Sequence, residues 1–361
     1  MTPVIQAKNI SRTFRSTQKG EGLKGALGLL LNPQYRVHEA LKNVSFTLEP
    51  GSFNGLIGAN GAGKTTLLKI LSGLIPPTTG EARVLGYEPF KRPIDFRRQI
   101  ALVMGQKAQL WWDLPAIDAF DLLRAIYNIP APVYRERLHT LTELLDVKHH
   151  LNTQIRRLSL GERMKMELIG AILHWPSVIF LDEPTIGLDV LAAHKLREFL
   201  RVFNHREKAT IILTSHNMDD IERLCSRVLI LRSGELIYDG APGGLLREGE
   251  RRLRIRFLKT PPLETLSQVT GISRELIVLE SPDEPGEEED VKAEPAAEEP
   301  KKDPEERAVY FTIRHEEIMG LLQKLMNQFA IVDMGIEEQS LEAVIQRLYE
   351  DEKTSPPEVH S

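Results

Sequence analysis

Short apolar runs alternate with amphipathic segments over the first two thirds of the chain. The runs are almost continuously apolar, which is typical of strands buried on both faces; they lie at 53–57, 100–104, 177–181 and 210–214. Helical periodicity follows at 67–73, where it stops at a glycine, between 110 and about 175 with prolines interrupting, and at 191–205. This alternation predicts an α/β fold whose parallel sheet is covered on both faces.

More polar, alternating segments indicate strands outside that sheet. They lie at 4–10, expected to be an edge strand, and at 40–48, 81–85, 227–231 and 235–238. The glycine-rich stretch 16–36 interrupts this pattern and places Leu23, Leu27 and Leu30 on one helical face. We interpret it as an insertion with a short amphipathic helix, which either packs on its own domain or contacts a membrane partner.

The pattern changes after residue 246. Strands are expected at 253–258, 276–279, 308–313 and 331–336, and helices at 316–328 and 340–349. Between them, residues 281–306 hold twelve acidic residues against three lysines, with one apolar side chain larger than alanine. Such a segment cannot bury a core and is predicted to be disordered. We therefore expect a first domain at 1–246 and a small C-terminal α+β domain at 247–361.

Composition narrows the class of protein. The formal net charge of −5 over 361 residues is no signature of nucleic-acid binding. The single cysteine, Cys225, excludes an internal disulfide, and no Cys/His cluster suggests zinc. The amino terminus lacks a signal-peptide pattern, and the longest apolar run is shorter than a membrane helix requires. We expect a soluble chain of the reduced cytosol, whose membrane role would depend on a partner.

A glycine-rich loop carries the strongest chemical signal. It matches the phosphate-loop pattern G-x-x-x-x-G-K-[ST] between an apolar strand and a helix. Glycines let backbone N–H groups surround a phosphate, and the helix N-terminus attracts the anion. The lysine pairs with the outer phosphates, and the first threonine can ligate Mg²⁺. The loop residues, all predicted to bind nucleotide, are Gly58, Ala59, Asn60, Gly61, Ala62, Gly63, Lys64, Thr65 and Thr66.

Two acidic residues end the apolar strand at 177–181. The strand delivers Asp182 to the sheet edge where phosphates would bind, and there its carboxylate can hold the Mg²⁺ shell. Glu183, one residue further, is suited to activate a water for attack on the γ-phosphate. The sequence therefore predicts hydrolysis of a nucleoside triphosphate.

Together these motifs resemble the ATP-binding cassette (ABC) ATPases. Residues 158–162, Leu-Ser-Leu-Gly-Glu, are similar to the signature of that family and are called the signature segment below. Gln106 occupies the position of the family's Q-loop glutamine, and residues 187–189 resemble its D-loop. His216 resembles the switch histidine, and Phe14 stands where an aromatic ring stacks on adenine, with Tyr35 as an alternative.

The resemblance implies a fold and a set of site residues. The fold is a P-loop NTPase with a parallel-sheet core, an antiparallel β subdomain and a helical signature subdomain at about 108–175. Catalysis would involve Glu183, His216 and Lys64, and Mg²⁺ would be served by Thr65, Gln106 and Asp182. Contacts to ATP would add Phe14, Gln106, Ser159, Gly161, Glu162 and Asp189, and those of the signature segment would reach a nucleotide on a second cassette. Leu160 departs from the usual glycine and is expected to restrict the backbone there.

The resemblance also implies partners. The pattern is most like the ATPase subunits of ABC-2-type exporters, with two separate six-helix permeases and a second copy of the cassette, on the cytoplasmic face of the membrane. Trp111 and Trp112 fall where the family contacts its permease, and since adjacent side chains of an extended loop face opposite ways, at least one should be exposed. The alternatives are an importer ATPase and a soluble cassette acting on ribosomes or DNA. No nucleic-acid partner is expected.

Overall fold

The first unit of the chain is built around a mostly parallel sheet. The computed structural model describes residues 2–17, 35–105, 109–245, 250–279, 308–338, 341–342 and 344–345. Two compact units, Met1–Pro242 and Gly243–Ser361, divide the chain. Gln106, most of the predicted insertion, the acidic segment 281–306 and most of the predicted last helix lie outside the described residues.

The described strands of the first unit, in chain order, are β1 (Ile5–Thr17), β2 (Tyr35–Leu48), β3 (Phe53–Ile57), β4 (Thr79–Val84), β5 (Ile100–Met104), β6 (Val178–Asp182), β7 (Thr210–Thr214), β8 (Arg227–Arg232) and β9 (Glu235–Gly240). Its described helices are α1 (Lys64–Leu71), α2 (Ile94–Arg97), α3 (Ala116–Tyr127), α4 (Ala131–Leu144), α5 (Leu160–Ile172), α6 (Val190–Glu207) and α7 (Met218–Leu224). Most bounds lie within a few residues of those expected from the apolar pattern.

Six of these strands form the central sheet, in the order β5-β6-β7-β3-β8-β9. All neighbouring pairs are parallel except β8 and β9. The carboxyl ends of β3, β6 and β7 therefore meet at one edge, where loops of α/β sheets form their sites. The mostly parallel core confirms the predicted α/β class.

The three-stranded antiparallel sheet corrects one expectation. Its order is β2-β1-β4, so β1 is the central strand and not an edge strand. Both of its edges pair, with β2 on one side and β4 on the other. An alternating apolar pattern reports which faces of a strand are buried but not how many neighbours it pairs with. The partners come from strands far apart in the chain, which the local pattern cannot reveal.

Helix α1 joins the two sheets into one core. Its residues Leu67, Leu68 and Leu71 belong to the same buried cluster as Leu41 of the antiparallel sheet and Phe180 of the parallel sheet. Because the helix begins directly after the phosphate loop, this packing holds the loop between the two sheets.

The helical stretch divides into α3, α4 and α5, and prolines begin the first two. Pro115 and Pro130 occupy the N-cap positions of α3 and α4, where the missing N–H costs nothing. Asn128, in the left-handed conformation, ends α3. Within the described residues, no helix is both long and apolar enough to cross a membrane.

The second unit is a small antiparallel α+β domain. Its described elements are β10 (Glu250–Phe257), α8 (Leu263–Thr270), β11 (Ile277–Leu279), β12 (Ala308–Arg314), α9 (Ile318–Gln328) and β13 (Ile331–Glu338). The order β11-β12-β10-β13, with a helix after the first and third strands, is the ferredoxin-like arrangement. Leu266 of α8 and Leu325 of α9 pack against Leu253, Ile255 and Phe311 of the sheet. The apolar pattern did not predict α8, which is short and follows two prolines.

Substitution of two glycines tests how tightly the first unit is packed. Gly73, at φ +76°, and Gly86, at φ +80°, share the left-handed conformation, but a Cβ on Gly73 would overlap the carbonyl oxygen of Pro89, whereas one on Gly86 would meet open space. Gly86→Ala should cost about 1 kcal/mol of unfolding free energy from backbone strain alone. Gly73→Ala should cost about 3 kcal/mol, because the neighbouring turn must also move. Chemical denaturation compares them, and equal losses would contradict this packing.

Candidate functional site

The phosphate loop connects β3 to α1 in a conformation that its glycines permit. Gly63, the N-cap of α1, lies at φ +107°, and a Cβ there would collide with the carbonyl oxygen of Ala40 and the side chain of Leu41. A Cβ on Gly58 would meet the carbonyl oxygen of Leu231. A larger residue at Gly63 would displace the loop from the antiparallel sheet, and one at Gly58 would displace it from the central sheet. The loop thus places the N-terminus of α1 at an open cleft lined by residues 59–66.

Lys64 is buried within this loop. Only 6 % of its surface is exposed, and its ammonium group donates hydrogen bonds to the carbonyl oxygens of Gly58 and Ala59. Burial lowers the pKa of Lys64, while the nearby carboxylates of Glu183 and Asp182 oppose that shift. The lysine is therefore held between the loop, the predicted general base and the predicted Mg²⁺ ligand.

Asp182 lies at the centre of a hydroxyl–carboxylate cluster. The Oγ1 of Thr65 donates to Asp182 Oδ2 at 3.0 Å, and the Oγ1 of Thr214 donates to Asp182 Oδ1 at 2.7 Å. A threonine hydroxyl and a single carboxylate suit Mg²⁺, which keeps several waters and takes its other ligands from phosphates. The apolar run of β7 did not single out Thr214, because its role depends on the pairing of β7 with β6.

Glu183 and His216 form a direct pair. His216 Nε2 lies 2.8 Å from Glu183 Oε1, and Glu183 is the less exposed of the two. The Glu183 backbone lies at φ +52°, and its N–H points to both the carbonyl oxygen and the hydroxyl of Thr214, at 3.1 and 3.0 Å. Strained backbone at an acidic residue in a cleft is typical of functional sites. The two predicted catalytic residues are thus in contact.

The turn that carries Glu183 also touches the strand that leads to Gln106. The Gly105 N–H donates to the carbonyl oxygen of Asp182 at 2.8 Å. A Cβ on Gly105 would overlap the carbonyl oxygen of Glu183, so only glycine permits this approach. Gln106 itself lies outside the described residues, and its roles in binding ATP and Mg²⁺ stay predictions.

A buried aspartate supports the loops on both sides of the site. Asp220 is fully buried and accepts hydrogen bonds from Thr185 and Ser215, each at 2.6 Å, and from Arg197 at 2.8 Å. Thr185 follows Glu183 by two residues, and Ser215 immediately precedes His216. Asp220 therefore holds the two catalytic loops together. Sequence reasoning missed it, since its partners come from the loops after β6 and β7 and from α6.

The antiparallel sheet supplies one side of the cleft. Phe14, on β1, lines it together with His38 and Ala40 of β2. The Phe14 ring is 37 % exposed, and the guanidinium of Arg12 lies 4.7 Å from its centroid. Phe14 is thus placed beside the phosphate loop, where the stacking role predicted for it remains a prediction. The Tyr35 side chain is outside the described set, and His38 had not been predicted.

The signature segment forms a capped helix start. Ser159 is the N-cap of α5, its N–H donates to Glu162 Oε2 at 2.9 Å, and the Glu162 N–H donates back to Ser159 Oγ at 3.3 Å. This reciprocal arrangement is a capping box. Leu160 begins the helix, and its side chain lies against Gly187. The leucine therefore adopts an ordinary helical backbone, and the glycine it replaces is not required for this conformation.

The remaining predicted nucleotide contacts lie away from the phosphate loop. Asp189 caps α6 by accepting from the Ala192 N–H at 2.7 Å, and a Cβ on Gly161 would approach Ala192. The described residues that line the cleft do not include Asp189 or any residue of the signature segment. The structure therefore brings together the loop, Asp182, Glu183 and Phe14, but not the residues expected to act in trans.

The two tryptophans lie on the surface. Trp111 is 44 % and Trp112 49 % exposed, which goes beyond the expectation that at least one would be. The Arg163 guanidinium lies 5.1 Å from the Trp112 ring centroid, and Asp113 pairs with Arg156 at 3.0 Å. The buried carboxylate of Glu167 accepts from the Gln109 and Leu110 N–H groups just before them; burial nevertheless raises the pKa of Glu167. The backbone just before residues 111–115 is thus held in place, while the two tryptophan rings are exposed.

Trp111 borders a groove of about 510 Å³. The exposed apolar side chains of Leu74, Ile94 and Ile126 line it. The guanidinium groups of Arg92, Arg97 and Arg98 also line it. Within the described part of the chain, those three arginines form no ion pair with another residue. An apolar groove with a basic rim is an uncommon feature of a surface and suits a partner.

Comparison with known proteins places these features in context. The family model described as ABC transporter matches residues 41–186. The chain is 32 % identical to the ABC transporter ATP-binding protein NatA of Bacillus subtilis, over 62 % of this chain and 90 % of that protein. It is 32 % identical to the Nod factor export ATP-binding protein I of Cupriavidus metallidurans, over 59 % and 69 %. It is 26 % identical to the methionine import ATP-binding protein MetN 2 of Enterococcus faecalis, over 66 % and 70 %.

Solved structures show the same fold. An ATP-binding subunit of an ABC transporter superposes with a TM-score of 0.55 at 27 % identity, covering 67 % of this chain and 91 % of that one. A dimeric ATP-binding cassette in a post-hydrolysis state, bound to ADP and phosphate, gives a TM-score of 0.55 at 24 % identity, covering 66 % and 98 %.

Substitution of two threonines on β7 tests whether the hydrogen bonds around Asp182 are needed for ATP turnover. Thr214→Val should lower ATP turnover about tenfold, because Asp182 Oδ1 loses its donor and the Glu183 N–H loses one acceptor. Thr210→Val is the matched control, since it removes a hydroxyl on the same strand that accepts from Gly51, away from the acids. Both variants should lose about 1–3 kcal/mol of unfolding free energy. Steady-state hydrolysis that falls equally in both variants would show that only folding matters.

Proposed function

Because the chain belongs to the ATP-binding cassette family of transporter ATPases, we propose that it powers an exporter whose membrane permeases are separate chains. The relative named for Nod factor export is 32 % identical to it over the aligned residues, and the relative named for methionine import is 26 % identical. The observation that carries the ATPase assignment is the Glu183–His216 pair, 2.8 Å apart, beside the phosphate loop. An importer is the second candidate, which transport assays distinguish by direction.

Different residues around the cleft bind the phosphates, the adenine and Mg²⁺. Lys64 and the loop N–H groups bind the β- and γ-phosphates, and Phe14 offers its ring to adenine. Thr65 and Asp182 are the residues that would hold Mg²⁺, whose charge neutralises phosphate oxygens. Gln106 completes that set as predicted from the family pattern. The fit of a hydroxyl and a carboxylate 3.0 Å apart supports this assignment.

Glu183 acts as general base. It accepts a proton from the attacking water as the new bond to the γ-phosphorus forms and the bond to the bridging oxygen breaks. His216 holds Glu183 and the water in line, and Asp220 keeps the loops of both residues in register. The products are ADP and phosphate, with the proton passing from Glu183 to solvent.

A second copy of the cassette completes the site. Ser159, Gly161, Glu162 and Asp189 lie outside the cleft of their own phosphate loop, so we assign them to the nucleotide bound on the partner copy. Closure of the two copies on ATP, and reopening after hydrolysis, would drive the permeases. The two copies are taken to be identical.

The permease binds at Trp111, Trp112 and the adjoining groove. Exposed aromatic rings on a fixed loop are suited to act as anchors in a partner's pocket. We propose that this contact holds the subunit on the cytoplasmic face of the membrane, with two six-helix permeases as partners. The net charge of −5 gives no support to a role on DNA or ribosomal RNA.

Glu183→Gln should keep ATP binding and lower turnover by roughly 10²–10⁴, the contribution of a general base. Because the trapped ATP is not hydrolysed, the variant should also accumulate as a closed dimer. Glu222→Gln, which makes the same chemical change at an exposed position of α7, is the control and should behave like wild type. Phosphate release and analytical ultracentrifugation measure both effects. Wild-type turnover in Glu183→Gln would reject the assignment.

Trp111→Ala or Trp112→Ala should leave the isolated subunit folded and able to bind ATP, since both rings are about half exposed. At least one change should weaken permease binding by roughly 2 kcal/mol or more, the scale of a hot-spot residue. Leu144→Ala, at an exposed apolar position of α4 outside the groove, serves as control. Thermal melts come first, followed by permease pull-down. If both tryptophan variants melt far below wild type, the rings are structural and the docking role is wrong.

A further inference from the structure

A histidine outside the signature segment contacts its glutamate. His150 Nε2 lies 2.8 Å from Glu162 Oε1, with the two side chains 25 % and 32 % exposed. The other oxygen of the same carboxylate, Oε2, accepts from the Ser159 N–H. Both oxygens of Glu162 are therefore engaged, one by the residue whose orientation matters for nucleotide binding in trans and one by His150.

His150 is itself held in place by its backbone. Its N–H donates to the carbonyl oxygen of Val147 at 3.0 Å, and its carbonyl accepts from the Thr153 N–H at 2.9 Å. The carbonyl of Thr153 in turn accepts from the Ala116 N–H at the start of α3. The turn that carries the imidazole is thus fixed to a neighbouring helix.

The carboxylate of Glu162 stays charged in this arrangement. The Ser159 N–H is the main cause that lowers the pKa of Glu162, and His150 adds to it against the opposing effect of burial. A charged acceptor with two fixed donors is more strongly oriented than a neutral one with a single donor. The glutamate of the signature segment is thus held by the Ser159 N–H on one oxygen and by His150 on the other.

We propose that His150 is a positioning residue for the signature serine: by holding Glu162, it fixes Ser159 in the orientation that binds the γ-phosphate on the partner copy. The proposal rests on the proposed function, since Ser159 acts only when two cassettes close on ATP. Without His150, the Glu162 carboxylate keeps only its bond to the Ser159 N–H, and the capping box loses its outer constraint. The effect falls on closure and turnover, while each copy binds its own ATP unchanged.

The experiment uses the full chain in the Glu183→Gln background, where closed dimers accumulate. His150→Ala should raise the ATP concentration for half-maximal dimer formation about tenfold, the effect of a lost hydrogen bond to a charged group. His150→Gln should restore closure, because its amide nitrogen occupies the position of Nε2. His149→Ala is the matched control; its ring lies 4.0 Å from that of His150, but it faces solvent.

Two further measurements separate positioning from stability. In the otherwise wild-type chain, His150→Ala should lower kcat with little change in the ATP affinity of the monomer, read with a fluorescent ATP analogue at low protein concentration. Glu162→Gln removes the charged acceptor, so adding His150→Ala to it should cost little more. Additive losses of these two substitutions would overturn the proposal.

Equal closure of the Glu183→Gln chain with and without His150→Ala would also overturn it, as would a His150→Gln variant no better than alanine. Failure of Glu183→Gln alone to dimerise would instead count against the proposed function, because that variant keeps His150 and Glu162 intact. The two failures are therefore distinguishable in one set of samples.

Discussion

The close approach of Gly63 to the carbonyl oxygen of Ala40 is the contact on which the site depends. It brings the first turn of α1 against the antiparallel sheet, while the buried side chains of the helix pack in one core with both sheets. One glycine thereby fixes the distance between the phosphate loop and β1, where Phe14 lies. Any side chain at this position would separate the phosphate side of the cleft from its adenine side.

The acids depend on a second layer of contacts behind the loop. Thr214 bonds to both Asp182 and Glu183, and Asp220 ties Thr185 to Ser215 beneath His216. Because Asp220 is fully buried, its charge must be paired, and Arg197 supplies the counter-charge at 2.8 Å. Two threonines, a serine and an ion pair thus convert the ends of β6 and β7 into one rigid support, on which the strained backbone of Glu183 is held.

The helical region carries the exposed tryptophans and the signature segment as one body. The Arg156 N–H donates to the carbonyl oxygen of Trp112, and the Ile155 N–H to that of Leu114, each at 3.1 Å. Ser159 follows Arg156 by only three residues. A docked partner that displaced residues 111–115 would therefore also displace the signature segment. The His150–Glu162 pair holds the same segment from its other side.

The sequence by itself determined the features that are local in the chain. The phosphate loop, the apolar strand ending in Asp182 and Glu183 and the parallel core could be predicted, because glycine spacing and apolar runs constrain the backbone over a few residues. The resemblance then identified His216 as a catalytic residue, and the structure places its Nε2 2.8 Å from Glu183 Oε1. The exposure of a tryptophan followed from the alternation of side chains along an extended loop.

Only the tertiary structure decided which distant residues meet. The central position of β1 in its sheet, and the contacts of Thr214, Asp220, His38 and His150 with residues far along the chain, arise from pairing between separate elements. The ferredoxin-like order of the second unit is of the same kind. Burial periodicity reports which face of an element is covered, whereas the identity of its neighbour depends on how the whole chain packs.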